Sequence, residues 1–506
     1  MKNKIISLLF VLGIMFWNTG CELDVAPADA INTSSLLNTS DGLLNATNGS
    51  YALFKDNIEF GGYVDQNNNY LRQYFQMSDF ASDDITCAQV TEDPLFYSFT
   101  LTHSPNQANS RFFWYVSYKI ISSANTILDL TKDAGNFDAA NSQLVGENYF
   151  LRAFTTFNLL RFYAQPYSIN PEAPGVILRE SASEEAKKAR STVKEGYNFV
   201  ISDLKKAVSL MNASRGPQYA SKEAAYALLS RVYMYMEDHP NTIAYADSVI
   251  NSNRYQLETS EGFKTYFPKA ASSTETIFLI AFTSTDNKGK FGSIASMIYS
   301  DGNSGWGEEF ASQSIRDEMA PHPEDSRWAY IDTLSDGSGG VEQKNGIETF
   351  YISKFSYQDG DPNLSSPVMF RLAEIYLNRA EAYAKSGDAD NALADVDMIR
   401  TNRGLENALY NGVLPGGSTA LDVVLKERRL ELAFEGHRSL DVYRNKRTMD
   451  RSYWGYHLTG LVATDIDLTK KPVGYANELV EWTSPRIIYY IPVDEVLANP
   501  LCAQNP

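Results

Sequence analysis

Cysteine is scarce: the 506 residues include three, Cys21, Cys87 and Cys502. They are too few and too far apart for a disulfide framework or a zinc spacing. Two free thiols are expected at Cys87 and Cys502, with their pairing in an oxidising compartment left open. The five histidines are scattered without metal-ligand spacing. Positive charge is in deficit, 44 Lys and Arg against 62 Asp and Glu, for a formal net charge of −18. Without a basic stripe there is no footprint for nucleic acid, nor for charge-driven docking on an anionic membrane. No Walker loop, GxGxxG fingerprint, HExxH pair or GxSxG elbow occurs, which removes the chemistries those motifs support. "DGDPNLSS" at 359–366 opens like a calcium loop. It lacks the glycine at the sixth place, and Phe370 stands where a bidentate Glu is needed, so a turn is expected. No cofactor and no metal are expected.

Long apolar runs are also missing. The one at the start, Ile5 to Trp17, is interrupted by Ser7 and Gly13 and falls short of the roughly 20 residues that span a bilayer. Lys2 and Lys4 precede it, and Thr19 and Gly20 lead into Cys21. A basic start, an apolar middle and small residues before a cut describe an export signal. The last part is similar to the lipobox of bacterial lipoproteins, in which the cysteine becomes the acylated N-terminus, although Asn18 stands where an aliphatic residue is usual. Residues 1–20 are therefore expected to be a lipoprotein signal, Cys21 the lipidation site and 21–38 a tether poor in large apolar residues. Two or more acyl chains on one cysteine are enough for stable anchoring. Glu22 and Asp24 directly after it are similar to surface-export signals of some Gram-negative lipoproteins.

Aromatics are plentiful, with 31 Tyr, 26 Phe and six Trp, and most of the periodic signal is helical. Trp114, Tyr118, Ile121 and Asn125 share one helical face, as do Phe150, Phe154 and Phe157 in a stretch ended by Pro166. Residues 194–211 and 221–238 give a further pair, and 371–404 and 421–438 give two strong helical stretches. Tyr376, Ala380, Tyr383, Gly387, Ala392, Val396 and Ile399 fall at the spacings of one tetratricopeptide unit, and Tyr226, Ser230 and Tyr233 begin a degenerate one. Such a unit serves as a protein-docking face or purely as packing. The stretches 57–110 and 260–367 read as long, ordered, irregular excursions, because disordered segments avoid aromatics. A ligand site is expected on them. In "KERRLELAFEGHRSLDVYR", Glu427, Glu431 and Glu435 fall on one helical face. A glycosidase needs two opposed carboxylates, so an ion-paired network with the nearby Arg428, Arg429, Arg438 and Arg444 explains the run better.

Seven stretches, in order along the chain, resemble the SusD-like (RagB) family: "SDFASDDI", "WYVSYKIISSANTIL", "YFLRAFTTFNLLRFYAQPY", "EDSRW", "FRLAEIYLNRAEAYAKSGD", "KERRLELAFEGHRSLDVYR" and the closing "IIYYIPVDEVLANPLCAQNP". The resemblance implies a mostly α fold, with four tetratricopeptide-like helix pairs as scaffold, a loop-rich irregular layer and a few short strands. It implies an N-terminal region at 39–265 and a C-terminal region at 266–506. It also implies a non-catalytic outer-membrane lipoprotein facing the cell exterior. Such a protein captures a glycan, or a peptide in some relatives, as a hinged lid over a partner TonB-dependent barrel. A periplasmic adaptor without a small ligand and a glycoside hydrolase are the competing readings. The family's binding loops vary, so the site is nominated by position. Trp306, set among glycines in "GNSGWGEEF", is either a sugar platform or a core anchor for its loop. Tyr97 and Phe99 alternate as in a strand; Tyr299, Tyr453, Trp454 and Tyr456 are further candidates. Asn67, Asn68, Asp83 and Asn303 are the polar candidates, although scaffolding suits Asp83 and Asp84 better. Trp114 is expected in the core.

Overall fold

The computed structural model describes residues 40–65, 68–91, 95–132 and 138–506. The signal, the tether, Cys21 and Asn67 lie outside these. Helices dominate: α1 (Ser40–Ala52), α2 (Tyr70–Asp79), α3 (Phe96–Thr100), α4 (Ala108–Thr131), α5 (Ala139–Tyr163), α6 (Val193–Leu210), α7 (Lys222–Tyr235), α8 (His239–Ile250), α9 (Gln313–Met319), α10 (Leu372–Lys385), α11 (Ala389–Thr401), α12 (Ala420–Glu431) and α13 (Arg438–Arg444). From α4 to α8, and then from α10 to α12, each helix packs on the next, and α8 packs on α10. The strands form short antiparallel pairs, among them β1 (Ile85–Cys87) with β3 (Glu309–Ala311), β2 (Thr276–Leu279) with β6 (Val368–Arg371), and β4 (Ile331–Thr333) with β5 (Phe350–Ile352).

The helical periodicity maps onto packing as expected. Trp114, Ile121 and Asn125 are buried on α4, and the Tyr118 hydroxyl donates to the Ile177 carbonyl at 2.8 Å. Phe150, Phe154 and Phe157 of α5 are fully buried, and the chain turns extended at Ala164. A capping box between Thr192 and Glu195 starts α6.

The two tetratricopeptide-like units share one turn. Asp388 caps α11 by accepting the N–H of Asn391, and Asp238 caps α8 by accepting that of Asn241. The position before each cap has positive φ, 84° at Gly387 and 61° at Glu237. Ala380, Ala392, Ser230 and Ala246 are fully buried where the helices meet. Asn378 of α10 donates to the Ser230 hydroxyl of α7 at 3.1 Å, and Arg231 pairs with both oxygens of Glu374 at 2.6 Å. The second unit is thus degenerate in sequence and regular in geometry.

Three expectations need correction. The 57–110 stretch is not loop throughout, because α2 lies inside it with all ten residues buried. Burial on every side, including Arg72, Gln73 and Gln76, erased the one-face pattern that marks a helix. Tyr97 and Phe99 lie on α3, a short helix and not a strand. Glu435 is not on α12: the helix ends at Glu431, and Phe434 and Gly436 take φ of 66° and 79° to reverse the chain. Cys87 and Cys502 are both free and buried.

Candidate functional site

The glycine-set tryptophan sits on a turn that the backbone builds almost alone. Asp301 accepts the N–H of Asn303 and Ser304 at 2.9 and 2.6 Å. Two N–H groups, of Trp306 and Gly307, then donate to the Ser296 carbonyl. Gly305 has φ of +77°, and a Cβ there would lie 1.9 Å from the Tyr299 carbonyl oxygen, so no other residue fits without moving the turn. Trp306 is left 46% exposed. Phe291, 45% exposed, meets it edge to face with ring centroids 5.3 Å apart. The pair forms an open aromatic platform bounded by the exposed Asn303. We expect Gly305→Ala to cost about 1–3 kcal/mol through strain at positive φ and to weaken any ligand held by Trp306, measured by melting midpoint and titration together.

Tyr357 is another exposed aromatic, joined to the turn through Tyr299. It is 41% exposed at φ of 69°, and its hydroxyl meets that of Tyr299, whose carbonyl lies against Gly305. Neither Phe291 nor Tyr357 was nominated from sequence. The signal for Phe291 was present, since "KGKFGS" frames it with glycines as "GNSGWGEEF" frames Trp306.

The other nominated residues fare differently. Phe99 is 1% exposed and stacks on Phe80 at 4.5 Å, leaving no free face. Tyr299 is buried beneath the turn. Trp454 is buried with its indole N–H donating to the carbonyls of Asp467 and Lys470, and Tyr453 and Tyr456 are buried beside it. Tyr299, Tyr453 and Trp454 are anchors of their loops, each packing its body and pinning its polar tip. Tyr97 is 36% exposed, but among the described residues no hydrogen bond or ring contact joins it to the Trp306 turn. Asn68 is half-buried: its amide donates to Asp65, and its oxygen accepts from Gln73. Asp83 is buried and held by Arg438 at 2.6 Å, with Arg429 closing on it and on Asp84. Both aspartates brace the scaffold.

The glutamate run forms an ion network, but with other partners than its sequence neighbours. Glu431 meets Arg403 at 2.7 Å, Arg371 at 2.5 Å and Arg327 at 3.4 Å. Glu427 meets Arg327 and Arg400, Glu435 meets Arg371 and Lys354, and Glu275 and Asp325 complete the set. Five cations thus face five carboxylates, and the guanidinium of Arg403 lies 3.7 Å from the Phe263 ring centroid. Arg428 and Arg444 pair instead with Glu381 and Asp441. All three carboxylates of the run are buried and occupied, so no substrate bond can lie between them. Burial lowers the His103 pKa to about 4 and those of His437 and His457 far below the usual range. Two adjoining clefts of about 250 and 320 Å³ share Glu318, Arg429, Arg438 and Thr448. Several of the charges lining them pair with one another, Lys426 with Glu318 and Arg447 with Asp422.

A family model described as "SusD family" matches residues 307–506, and one described as "Starch-binding associating with outer membrane" matches 28–234. The chain belongs to the SusD-like family. It is 23% identical to SusD-like protein P38 of Formosa agariphila over 497 residues, 89% of this chain and 92% of that protein. A SusD superfamily protein from Bacteroides thetaiotaomicron shares its fold at a TM-score of 0.80 and 26% identity, covering 92% of this chain and all of that one. A Bacteroides vulgatus structure described as a putative sugar binding protein aligns at 0.75 and 26%, over 92% and 98%. SusD-like proteins are binding proteins associated with the outer membrane. In this SusD-like chain the mostly helical scaffold supports the loop layer, and the ion network ties the two together. Glu427 and Glu431 come from α12, while Arg327 and Lys354 come from the excursions.

Proposed function

We infer that this SusD-like protein captures a glycan at the cell surface on the Trp306–Phe291 platform and passes it to a TonB-dependent outer-membrane barrel. In this reading it is lipid-anchored through Cys21, acts as a hinged lid and catalyses nothing. The observation that carries the reading is an indole held 46% exposed by a turn that needs glycine at Gly305. A large apolar ring kept in water at that structural cost suits the apolar face of a sugar ring. The description of the Bacteroides vulgatus relative as sugar binding agrees with it.

The test is a binding panel of plant, host and microbial polysaccharides plus a peptide mixture, using residues 22–506. An open platform should give dissociation constants between about 1 µM and 1 mM, or roughly −8 to −4 kcal/mol, without release of reducing ends. Binding of peptides alone would move the cargo to the RagB-type alternative, and reducing ends would contradict a non-catalytic role. For the anchor, Cys21→Ala in the full chain is expected to shift the protein from the membrane fraction to the soluble fraction, read by fractionation and loss of acyl-chain labelling.

A further inference from the structure

Two ammonium groups flank the platform in a chain whose net charge is −18. Lys290 precedes Phe291, and its Nζ donates to the Asn303 carbonyl at 3.5 Å. Lys344 donates to the Gly307 carbonyl at 2.6 Å. Residues 303 and 307 bracket Trp306. Among the described residues neither lysine has a carboxylate within ion-pair distance, unlike Lys55, Lys188, Lys264, Lys354 and Lys426, which are all paired. Each ammonium has three donors, and a single carbonyl engages one of them.

The carboxylates nearby are engaged locally. Asp301 caps its own turn, Glu308 accepts from Gln89, and Glu342 accepts from Tyr351 and Thr349. Beside Trp306 the ammonium groups of Lys290 and Lys344 therefore keep free donors, while the carboxylates around them already accept from local partners. The overall negative charge does not cancel this, because at physiological salt charges farther than about 8 Å are screened.

Resting on the capture reading above, we propose that the cargo is an anionic glycan, whose carboxylate or sulfate groups meet Lys290 and Lys344 while its sugar ring lies on Trp306. The test titrates residues 22–506 with a uronate polysaccharide, a sulfated polysaccharide, a neutral polysaccharide and an acidic peptide, at low salt and at 0.5 M NaCl. At least one anionic glycan should bind about ten-fold or more tightly than the neutral one, with the preference shrinking at high salt, as exposed charge pairs require. Which of the two anionic arms binds tells carboxylate from sulfate. Lys290→Gln with Lys344→Gln should lose about ten-fold on that glycan, Lys290→Arg should retain it, and the melting midpoint of the single Lys290 variants should not move. Because Lys344 also braces Gly307, Lys290→Gln is measured alone and should lose part of the same affinity.

Equal or tighter Trp306-dependent binding of the neutral polysaccharide would overturn this inference and leave glycan capture standing. Preference for the acidic peptide over every glycan would overturn both. So would silence with all four ligands.

Discussion

Glu431→Ala lowers the stability of the fold by about 3–5 kcal/mol, the cost of removing one partner from a buried ion pair, and drops the melting midpoint by at least about 5 °C. Glu431 is fully buried and contacts Arg327, Arg371 and Arg403. Without it five buried cations face four carboxylates, and three guanidiniums each lose a partner. The loss falls at the junction of the helical scaffold with the loop layer, so near-native helix content with early loss of tertiary structure is expected on heating. Glu261→Ala is the control: its carboxylate pairs with Lys264 at the surface, 83% exposed, and the midpoint should stay where it is. A Glu431→Ala protein that melts with the wild type would refute the structural role of the network.

The same groups set the pH response. Burial alone would raise Glu431, but Arg403, Arg371 and Arg327 outweigh it and hold it well below the usual carboxylate range. Burial is likewise overcome at Glu381 by Arg444, and at Asp441 by Arg428 and Arg444, each carboxyl falling to about 2. In the unfolded chain such groups titrate near 4. Their contribution is therefore complete above that range and lost as pH falls toward 2. Glu147 acts in the opposite sense, since burial pushes it up to about 7 against Arg215, which costs stability between about pH 4.5 and 7. The midpoint should climb steeply from pH 2 to about 4.5, then level or decline slightly toward 7.

Trp306→Ala is expected to weaken glycan binding at least about 30-fold, the 2 kcal/mol or more that marks an aromatic anchor, with an unchanged melting midpoint. Phe291→Ala should cost less, about three- to ten-fold, because it meets Trp306 edge to face and such a pair is worth about 0.5–1.5 kcal/mol beyond its burial. Titration calorimetry on both variants checks the order. Trp454 and Phe99 offer no comparable face, being 9% and 1% exposed.

The scaffold was legible in the sequence wherever a helix buries one face. The Trp114 face, the Phe150–Phe154–Phe157 face and the unit around Gly387 all lie where the spacing places them. Legibility failed at α2, which buries every side and so loses its period. It failed for Glu435 as well, since the turn at Phe434 and Gly436 breaks a spacing that still looks helical. The carboxylate run announced an ion network, but its partners sit far away in sequence. Arg327 is 100 residues from Glu427, and Arg371 is 60 from Glu431, so only the fold could pair them. At the platform, glycines around Trp306 left open whether its ring is exposed or anchors the loop, and the fold leaves it exposed. The same composition around Tyr299 and the Trp454 cluster did not separate exposed rings from pinned ones, because burial there depends on contacts such as those from Trp454 to Asp467 and Lys470.

Trp306 is also a reporter, because among the described residues it alone of the tryptophans is exposed; Trp114 and Trp454 are buried and Trp328 and Trp482 half-buried. The most direct measurement is therefore intrinsic emission during titration with the polysaccharide that binds in the panel, on the wild type and on Trp306→Phe. Glycan capture on the platform predicts a saturable change in the wild type, with the midpoint found by calorimetry, and its disappearance in the variant. The same emission change persisting in Trp306→Phe, or calorimetric binding with no change in the wild type, would place the glycan elsewhere and contradict the account.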